Sequence, residues 1–307
     1  MRAHRPMAFP LKLSGSICAL ATPFAADGAL DLDAFARLLD HQLAGGTQGV
    51  VVAGSTGEAH MLEHAEWERL LARAVEQVAG RVPVLAGCGQ AGTASTLALA
   101  RRAEALGADA ALVVTPYYVR PTQEGLRRHF LAVAENGGLP VVLYNVPSRT
   151  GCDLLPETVA ALRGHPRIVA IKEARADAGR IAAVAALVRD DFVFLSGDDG
   201  SAHEAMLAGA AGVISVANNL VPEAFRALCD AACCGDRASA QRQAAALVPL
   251  LDALNCAPNP IPVKAGLAEI GIATAVVRLP LLELEHGCAR RRIAETLAAL
   301  RPRASAA

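Results

Sequence analysis

Eight times along this chain a short apolar run gives way to a longer segment with helical spacing, the runs falling at 16–22, 49–53, 82–86, 110–115, 141–144, 169–172, 192–196 and 212–216. Runs of that length, apolar on both faces, suit parallel strands buried on both sides. The clearest helix between them places Trp67, Leu70, Leu71, Ala74, Val75 and Val78 on one face at the i, i+3, i+4 spacing. Strand then helix, repeated in this way, predicts an α/β protein of the (β/α)8 TIM-barrel type. After Val216 only helical patterns remain, among them Leu247, Leu250, Leu251 and Leu254, with Pro249 placed to kink their helix. The expected organisation is a catalytic barrel at 14–235, a C-terminal helical extension at 236–300, and flexible termini at 1–13 and 301–307.

Composition narrows what such a barrel acts on. Of 307 residues, 53% are hydrophobic and the formal net charge is −1, without long charged runs, so the chain has a large core and no electrostatic footprint for nucleic acid or an anionic membrane. No apolar run reaches membrane-spanning length, and the stretch before Leu13 has no apolar segment of a secretory signal. The eight cysteines are scattered without CxxC spacing, which fits reduced thiols in a cytoplasm. Small molecules, or further copies of the chain, are the expected partners.

In barrels of this type chemistry sits at the C-terminal ends of the strands. The polar residues there include Gly54-Ser55-Thr56-Gly57-Glu58, Tyr117-Tyr118, Tyr144, Arg149, Lys172 and Gly197-Asp198-Asp199. Lys172 lies in the apolar run Val169-Ala170-Ile171-Lys172-Glu173-Ala174. Burial disfavours the ammonium form, so an amine there is a candidate Schiff-base nucleophile for a carbonyl; a strand-end lysine whose head stays wet is the plainer alternative. The Gly54–Glu58 turn suits either a carboxylate cradle of N–H and hydroxyl groups or an ordinary capped turn. Tyr144, with Tyr118 and Ser55, can form a proton-relaying hydroxyl chain, though each tyrosine alone also suits amphipathic packing. Arg149 offers a bidentate fork for a second carboxylate, or is simply a solvated loop arginine.

One short pattern points elsewhere. His60-Met61-Leu62-Glu63-His64 matches the H-x-x-E-H spacing of a class of zinc peptidases, yet without an identifiable third ligand it reads better as a partly exposed helix face, and no metal is expected.

The rim segments together resemble the dihydrodipicolinate synthase and N-acetylneuraminate lyase family over about Gly15 to Leu300. The matching segments are Gly54-Ser55-Thr56-Gly57-Glu58, Thr115-Pro116-Tyr117-Tyr118, Tyr144-Asn145-Val146-Pro147-Ser148-Arg149-Thr150-Gly151, Ile171-Lys172-Glu173-Ala174, Ser196-Gly197-Asp198-Asp199, Gly212-Val213-Ile214-Ser215-Val216 and Asn259-Pro260-Ile261-Pro262-Val263-Lys264. The resemblance implies a cofactor-free enzyme in which Lys172 forms an imine with pyruvate, Tyr144 shuttles protons, and Ser55 with Tyr118 complete the relay. It also implies that Thr56 holds the pyruvate carboxylate, that Gly197 and Ile214 line the pocket, and that Tyr118 reaches into a neighbouring subunit of a dimer or dimer of dimers. Ser148-Arg149 favours the synthase branch, with Arg149 on the carboxylate of aspartate semialdehyde, in lysine and diaminopimelate synthesis.

The alternatives are a sister aldolase acting on sialic acid or another 2-oxo acid, and a non-catalytic pyruvate-binding relative. Ser55 replaces a frequent threonine, and Val119 a frequent asparagine. In lysine-inhibited members a polar interface cluster binds the effector; here His64 and Tyr117 match it, while Ala59, His60, Trp67, Ala91 and Ser95 do not. Weak or absent lysine feedback is therefore expected.

Overall fold

The structure, a computed structural model, describes residues 11–300; most of the expected flexible termini, 1–10 and 301–307, lies outside the described residues. Eight strands, β1 Gly15–Ala19, β2 Gly49–Val52, β3 Val84–Gly87, β4 Ala110–Val114, β5 Val141–Asn145, β6 Ile168–Glu173, β7 Val193–Ser196 and β8 Gly212–Ser215, close into one parallel barrel in chain order. These are the eight runs expected from periodicity, with ends moved by a few residues.

Because each strand is buried on both faces, its alternation feeds two apolar layers. Ile17, Val51, Leu112, Tyr144, Leu195 and Ile214 fill the barrel interior. Val50, Leu143, Ile171, Phe194 and Val213 face outward onto the helices. A fully buried aliphatic or aromatic side chain contributes roughly 1.5–3 kcal/mol, so both layers hold the strand ends that carry the polar residues.

The helix His64–Val78 follows β2 and buries Trp67, Leu70, Leu71, Ala74 and Val78, with Val75 partly covered. It starts at a reciprocal cap in which the Glu63 N–H donates to Glu66 Oε2 at 2.9 Å, and the Trp67 indole donates to the Gly87 carbonyl at 3.1 Å. This start breaks the zinc pattern. His60 sits in a separate 3-10 turn, Leu62 is extended, and Glu63 is taken up by the cap, so the histidines do not share a helix. No cluster of His, Cys, Asp or Glu among the described residues is arranged to hold a metal. Nor is any helix of the described residues long and apolar enough to cross a membrane.

Strand β6 carries an irregularity that decides where Lys172 points. Val141 pairs with Ile168 and both face outward, whereas the next pair, Val142 with Ala170, faces the interior. Val169 is the extra residue of a bulge. With the phase reset, Tyr144 pairs with Lys172 inside the barrel and Asn145 with Glu173 outside it. Simple alternation from Ile168 would have turned Lys172 outward.

Beyond β8 come the helices Pro222–Cys233, Arg237–Leu254, Ile261–Glu269 and Cys288–Leu300. The second of these runs through Pro249 as a single helix, burying Leu247 and Leu250, with Leu251 and Leu254 partly covered. The third brings Lys264 to Glu58, and Lys264 Nζ donates to Glu58 Oε1 at 2.6 Å with both side chains buried. Arg278 N donates to Glu58 Oε2 at 3.0 Å, and its guanidinium reaches Glu66 and the carbonyls of Met61 and Gly28. Lys264 and Arg278 also pack on the Phe24 ring, at 4.1 and 4.2 Å from its centroid. This seam fastens the C-terminal helices to the turn after β2.

Candidate active site

Lys172 is 5% exposed, and its amine lies 4.3 Å from the centroid of the Tyr144 ring. Among the described residues no carboxylate forms an ion pair with it. A lysine amine that faces a barrel interior, with no carboxylate binding it, is placed to attack a carbonyl. Gly197, at the end of β7, makes room for the stem: a Cβ there would lie 3.0 Å from Lys172 Cε and 3.1 Å from the Glu173 carbonyl oxygen. Ile214 on β8 is fully buried in the interior layer.

On the outer side of the same strand pair, a polar brace holds the register. Asn145 Nδ2 donates to both Glu173 carboxylate oxygens at 3.0 Å and to Asp153 Oδ1 at 2.7 Å. Arg180 pairs with Asp153 and lies 3.7 Å from Glu173. Burial pushes the Glu173 carboxyl above its usual range, opposed by the Arg175 amide, Asn145 and Arg180. Because Asn145 and Glu173 are the residues next to Tyr144 and Lys172, this brace opposes slippage of the pair that faces inward.

The turn after β2 is held in a strained form, with Ala53 and Glu58 at φ of 52° and 53°. Its Gly57, Glu58 and Ala59 amides bond to the carbonyls of Gly54 and Ser55. The anion cradle expected of the whole turn thus reduces to the Ser55 and Thr56 amides, which have no acceptor among the described residues, and two hydroxyls. Thr56 is buried and its Oγ1 accepts from Asn259 Nδ2 at 3.0 Å. The Asn259 carbonyl in turn accepts from Arg149 Nη2 at 3.1 Å, leaving the remainder of that exposed guanidinium open. Ser55, Gly54, Gly87, Gly89, Val114 and Tyr144 line a cavity of about 300 Å³, counting its open mouth. Lys172 does not line it; the amine packs against the Tyr144 ring, which does.

The structure therefore joins Lys172, Tyr144 and Gly197 in one group, and Thr56 and Arg149 in a second through Asn259. Tyr118 stands apart: it is 91% exposed, at a φ of 70°, and its N–H donates to the Thr150 carbonyl at 3.2 Å. Such exposure of a large aromatic side chain suits contact with another molecule. The sequence reading missed the linking role of Asn259, the Glu58–Lys264 pair and the Asn145–Glu173 brace. Asn259 and Lys264 stood in a matching segment, but nothing local says which residues they meet.

The profile of the dihydrodipicolinate synthetase family matches residues 12–299. The chain is 62% identical over 292 residues to the 4-hydroxy-tetrahydrodipicolinate synthase of Xanthomonas axonopodis pv. citri, covering 94% of this chain and 96% of that one. It is 48% identical to the same-named protein of Pseudomonas aeruginosa, covering 90% and 94%. A solved dihydrodipicolinate synthase from Acinetobacter baumannii, complexed with pyruvate, superimposes with a TM-score of 0.91 at 39% identity, covering 94% of this chain and 98% of that one. The counterpart from Thermotoga maritima also gives 0.91 at 39% identity, covering 93% and 98%. The closed barrel, its buried lysine and these similarities agree: the chain belongs to the dihydrodipicolinate synthetase family.

Proposed function

We propose that this protein is a 4-hydroxy-tetrahydrodipicolinate synthase, a lyase that condenses pyruvate with L-aspartate 4-semialdehyde in lysine and diaminopimelate biosynthesis. The observation that carries the mechanism is a buried amine with no ion-pair partner among the described residues, inside a barrel and against a tyrosine ring. The Lys172 amine attacks C2 of pyruvate to give a carbinolamine, which loses water as an imine. Tyr144 carries protons to and from that carbon's oxygen, with Ser55 and the Tyr118 of a second copy completing the relay. Loss of a proton from C3 gives an enamine that attacks the aldehyde carbon. The amino group of the aldehyde substrate then displaces Lys172, closing the ring and freeing the enzyme.

Thr56 and its neighbouring amides suit the pyruvate carboxylate, Gly197 and Ile214 shape the pocket, and the open fork of Arg149 suits the carboxylate of the aldehyde. No step needs a cofactor or a metal. The exposure of Tyr118 supports a homodimer, alone or doubled, and a cytoplasmic enzyme suits this biosynthetic chemistry. The barrel at 14–235 carries the imine chemistry, while the extension at 236–300 contributes Asn259 to the rim.

Lysine feedback should be weak. The second cleft, beside Tyr117, is lined by His60, His64, Trp67 and Gln90 among others, and none of the described residues lining it brings a carboxylate to meet an ammonium group.

The test is borohydride trapping with pyruvate followed by peptide mapping, beside an assay with aspartate semialdehyde. The expected result is one modified peptide containing Lys172 and turnover of the aldehyde. Modification elsewhere, or pyruvate release from N-acetylneuraminate without synthase activity, contradicts the assignment.

A further inference from the structure

We infer that Asn259 is a positioning residue for the pyruvate carboxylate, its amide fixing the Thr56 hydroxyl as a proton donor toward the substrate. The inference rests on the assignment of Thr56 to that carboxylate and adds what makes the hydroxyl selective for an anion. A threonine hydroxyl has one proton and two lone pairs, and it turns to suit its neighbours. Asn259 Nδ2 donates to Thr56 Oγ1 at 3.0 Å, and an amide nitrogen cannot accept in return. Among the described residues Thr56 Oγ1 has no acceptor for its own proton, so that proton is left for a ligand. The Ser55 and Thr56 amides are uncommitted in the same way, which makes three donors on one short segment.

Asn259 comes from 203 residues away, and the helix that follows it is anchored. The helix Ile261–Glu269 begins two residues later and carries Lys264, whose pair with Glu58 holds the far end of the turn that presents Thr56. The Asn259 main-chain carbonyl meets Arg149 as well, so one residue touches the groups assigned to both substrates' carboxylates. Its Oδ1 is buried with no partner among the described residues. With the amide turned the other way, Oδ1 would accept the Thr56 proton and withdraw it from the substrate. The two orientations therefore predict opposite responses to an acidic replacement.

Imine formation at Lys172 is measured by borohydride trapping with pyruvate and, separately, with methyl pyruvate, an uncharged ester of the same ketone. In Asn259→Asp the side chain offers only acceptors and a negative charge, so the pyruvate concentration for half-maximal trapping should rise about tenfold or more, while that for methyl pyruvate should hardly move. Asn259→Ala, which keeps the main-chain contact with Arg149, should raise the pyruvate value by less. In a Thr56→Val background it should add almost nothing, because the hydroxyl it acts through is gone.

Methyl pyruvate trapping also reports a folded site, so a misfolded Asp variant is recognised and the Ala and Val variants decide. Unchanged pyruvate trapping in Asn259→Asp, equal loss for both ketones, or additive effects of Asn259→Ala and Thr56→Val would each overturn the inference. Failure of the native protein to trap pyruvate at all would instead overturn the Schiff-base mechanism.

Discussion

The barrel mouth and the seam with the C-terminal helices each hold a buried lysine over an aromatic ring, Lys172 at 4.3 Å from the Tyr144 centroid and Lys264 at 4.1 Å from that of Phe24. Lys264 has the Glu58 carboxylate at 2.6 Å, while Lys172 has no such partner among the described residues. Burial lowers the Lys264 ammonium to about 8 against the pull of Glu58. The contrast teaches that burial alone does not make a lysine reactive. A lysine closed into an ion pair is engaged in holding the fold, whereas an amine set against a hydroxyl-bearing ring is open to a carbonyl and has a proton carrier beside it.

The largest effect should come from removing the unpaired amine. Lys172→Ala should lower kcat by roughly 10³-fold or more and abolish borohydride trapping, with an unfolding free energy that holds or rises. A steep loss of stability in that variant would break the contrast. Removing the paired lysine should act the other way round. Lys264→Met leaves the buried Glu58 carboxylate without its cation and with only the Arg278 amide as donor, a change that costs about 3–5 kcal/mol in denaturant unfolding, and adding Glu58→Gln should recover much of it.

A third buried group sharpens the point through pH. His129 is 5% exposed, its Nδ1 pairs with Thr93 Oγ1 at 2.9 Å, and its Nε2 has no partner among the described residues. Burial lowers its ionisation from 6.5 to about 4, so the folded chain keeps it neutral where the unfolded chain takes up a proton. The unfolded state binds more protons below 6.5, and stability should fall by roughly 3 kcal/mol as pH drops from 6.5 to 4. His129→Leu should flatten that part of the profile, and an unchanged slope would show that other groups control it.

The arginines repeat the contrast at lower energy. Arg278 bonds Glu66, Met61 and Gly28, whereas Arg149 reaches one carbonyl. Arg149→Ala should raise KM for the aldehyde by about tenfold and leave pyruvate trapping intact. The smallest effect is lysine itself: a dose-response in which micromolar lysine fully inhibits would show that the second cleft binds an ammonium group despite its lining.

Much of this was legible from spacing. The eight runs became eight strands, and Lys172, Tyr144 and Gly197 met where strand-end reasoning put them. The zinc-like pattern was set aside for want of a third ligand, and the structure adds that its two histidines straddle a helix start with Leu62 extended between them rather than sharing one helix face. Tyr118 reads in sequence as a rim residue like Tyr144, yet the fold leaves one exposed and buries the other.

The sequence by itself determined the order of strands and helices and which residues end each strand, because periodicity is a local property of the chain. It was silent on the direction Lys172 faces, since a strand apolar on both sides carries no phase and the bulge at Val169 exists only in the pairing of β5 with β6. It was equally silent on Asn259 meeting Thr56 and Lys264 meeting Glu58, contacts spanning 203 and 206 residues. Those were decided by closure of the barrel and docking of the helices, which bring together side chains that no sequence window holds at once.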